Sequence, residues 1–308
     1  MLSGLLIVLL PLIIGYLVRV QHAGLMRLIN RGVNASIYII LLLMGIGLAG
    51  LDNLAGQLSR MGGQALLILS VTSLCNLAAL LWLSRRMPLE ADPGQAVPGA
   101  PTSKLAAMAG SMSLVGAVLL GVALGLLLAG GLGGALFEAA EQLAQWVLYA
   151  LLALIGCQLR NSGMPLRQIL LNRLGLAIAT VLAASSLLAG LIVAPLLDLR
   201  WNEGLAMVSG FGWYSLSGIL IGDQLGPVMG GVAFFNDLSR ELLAFVLIPL
   251  TIRRHAPLAI GYGGATSMDF ALPVIQQHGG VTCVPVAIVS GFILSLLSPP
   301  LILFLLSL

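Results

Sequence analysis

Eight apolar runs, at about 2–18, 35–58, 63–83, 105–129, 143–159, 174–197, 228–250 and 283–308, dominate the chain. Each is close to the roughly 20 residues a helix needs to cross a bilayer's hydrocarbon core. Backbone in lipid must satisfy its own hydrogen bonds, so such runs are expected to be helices. The predicted fold is an all-α polytopic membrane protein with about eight transmembrane helices. Composition excludes the alternatives: 59% of the 308 residues are hydrophobic and only 8% charged, and the mean hydropathy is +1.07. So few charges cannot solvate a soluble enzyme or build a nucleic-acid interface.

Two further stretches, 204–222 and 258–278, are apolar but rich in Gly, Ser and Thr. They read as broken or re-entrant segments, which membranes tolerate where the backbone is buried or lines water. The positive-inside rule then orients the chain. With the N-terminus outside, the cytoplasmic side receives Arg19, Arg27, Arg31, Arg85, Arg86, Lys104, Arg160, Arg167, Arg173, Arg253 and Arg254. Only Arg60 and Arg200 fall outside, and Arg240 lies within a span. This asymmetry favours a re-entrant 204–222, because a full crossing there would expel Arg253 and Arg254. Both termini then face outward. Met1 to Tyr16 lacks a basic leader, so the first run is expected to remain as a span.

Residues 84–104, with Pro88, Pro93, Pro98, Pro101, Glu90 and Asp92, read as a cytoplasmic linker between N-terminal helices at 1–83 and a C-terminal bundle at 105–308. Cys75, Cys157 and Cys283 are odd in number and set in apolar runs, which points to neither a disulfide framework nor a metal site. His22, His255 and His278 lack metal-ligand spacing. No cofactor is expected. The 38 glycines suit close helix packing and leave room for a homo-oligomer. A faint repeat, Leu43–Leu48 against Leu154–Leu159, together with the broken segments, fits an inverted-repeat secondary transporter.

Ionisable residues within spans carry the functional signal, since a central carboxylate costs about 2.5–3.5 kcal/mol to insert. Asp52, beside Asn53, falls in the outer half of the second run. Asp237 and Glu241 are spaced i, i+4 in Phe234-Phe235-Asn236-Asp237-Leu238-Ser239-Arg240-Glu241, which places both on one helix face. The plain reading of Arg240 is an ion pair with Asp237, which leaves Glu241 as the carboxylate to hold a proton or a substrate cation. Asp269 follows Gly263-Gly264-Ala265-Thr266-Ser267-Met268, where it caps a half-helix or faces a cavity. In the other broken segment, Ser209-Gly210-Phe211-Gly212-Trp213-Tyr214-Ser215-Leu216-Ser217-Gly218 sets hydroxyls among glycines and two aromatic rings. Trp213 and Tyr214 read equally as interface anchors. Such segments offer amides to an anion and carbonyls to a cation.

These two strings, with Gly264-Ala265-Thr266-Ser267-Met268-Asp269-Phe270, Ser3-Gly4-Leu5-Leu6-Ile7 and the Met44 to Asn53 segment, resemble the bacterial lysine exporter family over nearly the whole chain. The resemblance implies an inner-membrane exporter of L-lysine and its toxic analogue thialysine, with eight spans and both termini periplasmic. It also implies essential intramembrane acids, matched here by Asp52 and Glu241. The expected partners are L-lysine, protons and the lipid bilayer, with no nucleic acid and no enzymatic activity. The substrate and proton contacts expected from the residues are Asp52, Asn53, Trp213, Tyr214, Ser215, Ser217, Asn236, Asp237, Glu241, Thr266, Ser267 and Asp269. Two competitors remain at this level: a carrier of another solute, such as arginine or sodium in exchange for protons, and an intramembrane aspartyl protease using Asp237 and Asp269. The compact Gly-x-Gly-Asp signature expected of the protease is absent.

Overall fold

A computed structural model describes residues 10–50 apart from 12 and 21, residues 54–91 and 104–161, and residues 172–308 apart from 269. The described residues form helices α1 (Ala23–Ala49), α2 (Leu54–Arg86), α3 (Lys104–Arg160), α4 (Arg173–Leu196), α5 (Trp201–Met207), α6 (Tyr214–Leu225), α7 (Pro227–Thr251), α8 (Ala256–Gly263), α9 (Leu272–Gly279) and α10 (Val284–Leu306). Short 3₁₀ turns at Gly264–Met268 and Val281–Cys283 complete them. Among the described residues, five helical segments, within α1, α2, the later part of α3, α4 and α10, are long and apolar enough to cross a membrane. The chain is a polytopic membrane protein. Helix α7 is 25 residues long and carries Asp237, Arg240 and Glu241 within one turn.

Two boundaries differ from the hydropathy reading. The run 35–58 is divided, because α1 ends at Ala49, where the Gly50 amide closes onto the carbonyls of Gly47 and Leu48, and α2 begins at Leu54. Residues Lys104–Arg160 make up one helical element, α3, but they do not form the straight rod of roughly 85 Å that 57 residues would give. Its neighbours show two arms. Going up α1, Tyr38 hydrogen-bonds Ser113, Gly45 abuts Val118 and Gly121, and Ala49 abuts Gly125. Going up the same helix, Asn30 bonds Gln158, Gly32 meets Leu154 and Gly50 meets Phe137. One arm therefore runs parallel to α1 and the other antiparallel, with the reversal between Leu128 and Phe137. The 105–129 and 143–159 runs are these two arms. Asn161 closes the second arm onto the N-terminal segment, donating to Val18 O and accepting from Val20 N.

The remaining helices form a second body. Helices α2 and α4 run antiparallel, joined by the Ser185 and Ser186 hydroxyls donating to Asn76 Oδ1 at 2.7 and 3.1 Å. From the far end of α4 the chain turns into α5, which packs back along it, Gly204 against Gly190 and Ala194. Helix α5 stops halfway. After a break at 208–213, α6 returns to the face it came from: Pro227, at the α6–α7 turn, lies against Gly47 near the end of α1, and Gly231 against Met61 near the start of α2. Segment 201–225 is thus re-entrant, as the charge asymmetry required.

Helix α7 then crosses to the opposite face, where His255 Nδ1 lies 3.3 Å from Ser84 Oγ at the end of α2. Arg253 and Arg254 accordingly share a face with Arg85 and Arg86. From there α8 enters and breaks at the 3₁₀ turn, and α9 returns beside Ile252, against which Gly279 packs. Helix α10 crosses last, from Val286 and Val289 beside Gly175 to Leu305, whose carbonyl accepts from Asn202 Nδ2. Two hairpins therefore enter from opposite faces, flanked by α4, α7 and α10.

Candidate functional site

The hairpin tips meet in the interior. The Ala265 amide donates to the Phe211 carbonyl at 3.0 Å, and both residues are buried. Reaching this contact takes unusual backbone. Phe211 has φ of +52°, rare for a bulky residue, followed by Gly212 at +89°, and Gly264 sits at +65°. Backbone buried this deep must be satisfied internally. In the first tip, Ser209 O accepts from Ser298 Oγ at 2.9 Å, and Gly210 O from Trp213 N. In the second, the last four carbonyls of α8 are all taken. Ile260 accepts from Ser267 Oγ at 2.6 Å, Gly261 from Gly264 N, Tyr262 from Arg240 Nη2 at 3.2 Å and Gly263 from Thr266 Oγ1 at 2.9 Å.

One turn of α7 serves both tips. Asn236, Asp237, Arg240 and Glu241 are each only 1–3% exposed. The Asp237 carboxylate accepts from Ser217 Oγ at 2.6 Å, Gly212 N at 3.2 Å and Asn236 Nδ2 at 3.3 Å. Its negative charge thus meets the amide-bearing start of half-helix α6. Arg240 turns to the carbonyl-bearing end of half-helix α8 and stacks over the Tyr262 ring at 5.6 Å. Each charge complements the helix-dipole end it faces. Instead of closing on each other in the ion pair their spacing suggested, Asp237 and Arg240 reach opposite hairpins. The hairpin ends offer more donors and acceptors than one i, i+3 contact would.

The structure joins Ser217, Asn236 and Asp237 directly. Trp213, Tyr214, Ser215 and Thr266 line one small cavity of about 30 Å³, with Ser295 and Met268 on its wall. Tyr214 is no interface anchor: it is 2% exposed and packs edge-on against Phe234. Thr266 and Ser267, expected as ligands, spend their hydroxyl protons closing α8. Glu241 is buried one turn beyond Asp237 on the same face. Asp52, Asn53 and Asp269 lie outside the described residues. Sequence reasoning missed Tyr262, whose carbonyl and ring hold Arg240, and Ser73, 2.8 Å from the Tyr262 hydroxyl. A tyrosine in a glycine-rich break was the one available signal; Ser73 had none. The three cysteines are free. Among the described residues no group of His, Cys, Asp and Glu forms a metal site.

A family model described as "Lysine exporter LysO" matches residues 115–306. An Escherichia coli K12 protein named "Lysine exporter LysO" is 50% identical over 305 residues, 99% of either chain. A Haemophilus influenzae protein whose name assigns it provisionally to lysine export is 45% identical over 159 residues, 52% of this chain and 82% of its own.

Proposed function

Because this chain belongs to the lysine exporter family, a family of transporters and not enzymes, we propose that it exports L-lysine, and analogues such as thialysine, in exchange for protons. We place it in the bacterial inner membrane with both termini periplasmic, which the clustering of Arg85, Arg86, Arg253 and Arg254 on one face supports. The observation that carries the mechanism is the buried acidic face of α7, Asp237 and Glu241, set where two opposed re-entrant hairpins meet.

Lysine leaves with a net positive charge, against about 2.3 kcal/mol per 100 mV of interior-negative potential. A proton entering in exchange returns that charge. A carboxylate that holds either a proton or the lysine ammonium, never both, couples the two flows. Glu241 takes this role, helped by Asp237, and Asp52 is a second acidic contact. The α-carboxylate goes to the start of α6, beside Trp213, Tyr214 and Ser215, because the α8 carbonyls are already engaged and would repel it. The hairpin body moves against the body of α1 and α3 to expose the site to each side in turn.

The test is efflux of radiolabelled lysine from proteoliposomes under an imposed pH gradient, with Glu241→Gln and Asp52→Asn for comparison. Gradient-driven efflux in the native chain and its loss in both variants is the expected result. Lysine flux indifferent to the gradient would discard proton exchange, and no lysine flux would discard the substrate.

A further inference from the structure

A second cavity, of about 170 Å³, lies away from the hairpin tips, in the seam between the two bodies. Its walls are Leu43 and Met44 of α1, Phe137 and Leu148 of the second α3 arm, and Ile219 of α6. Into this apolar lining α6 inserts one charged residue, Asp223. The position is specific in three respects. Helix α1 packs extensively on α3 but touches α6 and α7 only sparsely, so the cavity occupies the surface along which the bodies would slide. Gly47 and Pro227 form part of its wall, on the face away from Arg253 and Arg254. Asp223 shares the cavity lining with Ala144 and Leu148 of the α3 arm, across the seam. Within its own helix it accepts from the Gln224 amide at 2.7 Å.

An apolar wall with one carboxylate at its edge fits a solute with a hydrocarbon stem ending in a cation. We propose that this cavity is a release vestibule for a cationic amino acid, in which Asp223 receives the side-chain ammonium and the Leu43–Met44–Phe137–Leu148 wall receives the butyl stem. The vestibule rests on the lysine-export reading and adds a second substrate contact, on the exit side of the hairpin tips. A carboxylate there draws the cation forward from Glu241, so that the proton can replace it.

The test is counterflow of radiolabelled L-lysine into right-side-out membrane vesicles carrying the full chain. Asp223→Asn is expected to raise the half-saturation for external lysine about tenfold, the loss of one charged contact, while Asp223→Glu stays near native. Ala144→Trp, which fills the cavity from the α3 arm, is expected to cut flux at least tenfold at unchanged melting temperature. Native vesicles that exchange no lysine would overturn the export reading, and the vestibule with it. Native vesicles that exchange lysine, with Asp223→Asn and Ala144→Trp both behaving as native, would overturn the vestibule alone.

Discussion

The Ala265 amide and the Phe211 carbonyl, 3.0 Å apart, join hairpins that enter the protein from opposite faces. The second tip supplies the donor and the first the acceptor, so this buried backbone pair is satisfied only where the two tips meet. Gly264 makes the approach feasible, with φ of +65° and no side chain: a Cβ there would run into the Phe211 carbonyl. Gly264→Ala is therefore expected to lower the melting temperature in detergent and to abolish lysine flux. Unchanged flux would show that the tips need not touch.

Asp237 holds the first tip through Ser217 and Gly212. Replacing it by Ala orphans three buried donors, Ser217, Gly212 and Asn236, at about 1–3 kcal/mol each, whereas Asn retains an acceptor. A thermal melt should rank native above Asp237→Asn above Asp237→Ala. Equal melting of the two variants would remove the carboxylate from this structural role. The neighbouring Gly210 leaves room for the carboxylate, since a Cβ there would overlap Asp237 Oδ2.

Arg240 holds the second tip by one hydrogen bond and a stacked ring. Cation–π contacts shielded from water are worth about 2 kcal/mol, and Lys lacks the planar group that makes both contacts together. Arg240→Lys should keep partial flux and Arg240→Ala none. Full activity of Arg240→Ala in the efflux assay would refute the assignment.

Glu241 differs from both in its expected signature. Neutralising a buried carboxylate of unchanged size spares the cost of charge burial, so Glu241→Gln should melt at or above the native temperature while losing gradient-driven flux. A large drop in melting temperature would instead mark it as structural. Far from this site, Asn161→Ala should cost about 0.5–1.5 kcal/mol by removing the half-exposed bonds to Val18 O and Val20 N. Limited proteolysis near the N-terminus would register it.

The membrane class, the two broken segments and the turned-back path of 204–222 were legible in the chain itself, because hydropathy, glycine spacing and arginine placement are local signals set by the bilayer. So was the acidic face of α7, since i, i+4 spacing fixes which side chains share a helix surface. Tertiary structure decided what those charges meet. Nothing local to Arg240 points to Tyr262, and nothing local to Ser73 points to the tyrosine hydroxyl; each partner arrives only when separate helices pack. The two arms of α3 were legible as the separate runs 105–129 and 143–159, but their close packing on α1 was decided by tertiary structure, where the small surfaces of Gly45, Gly121 and Gly125 let the helices approach closely. Sequence set what each segment had to do in lipid, and the meeting of two half-helices with opposite dipole ends determined that Asp237 went to one and Arg240 to the other.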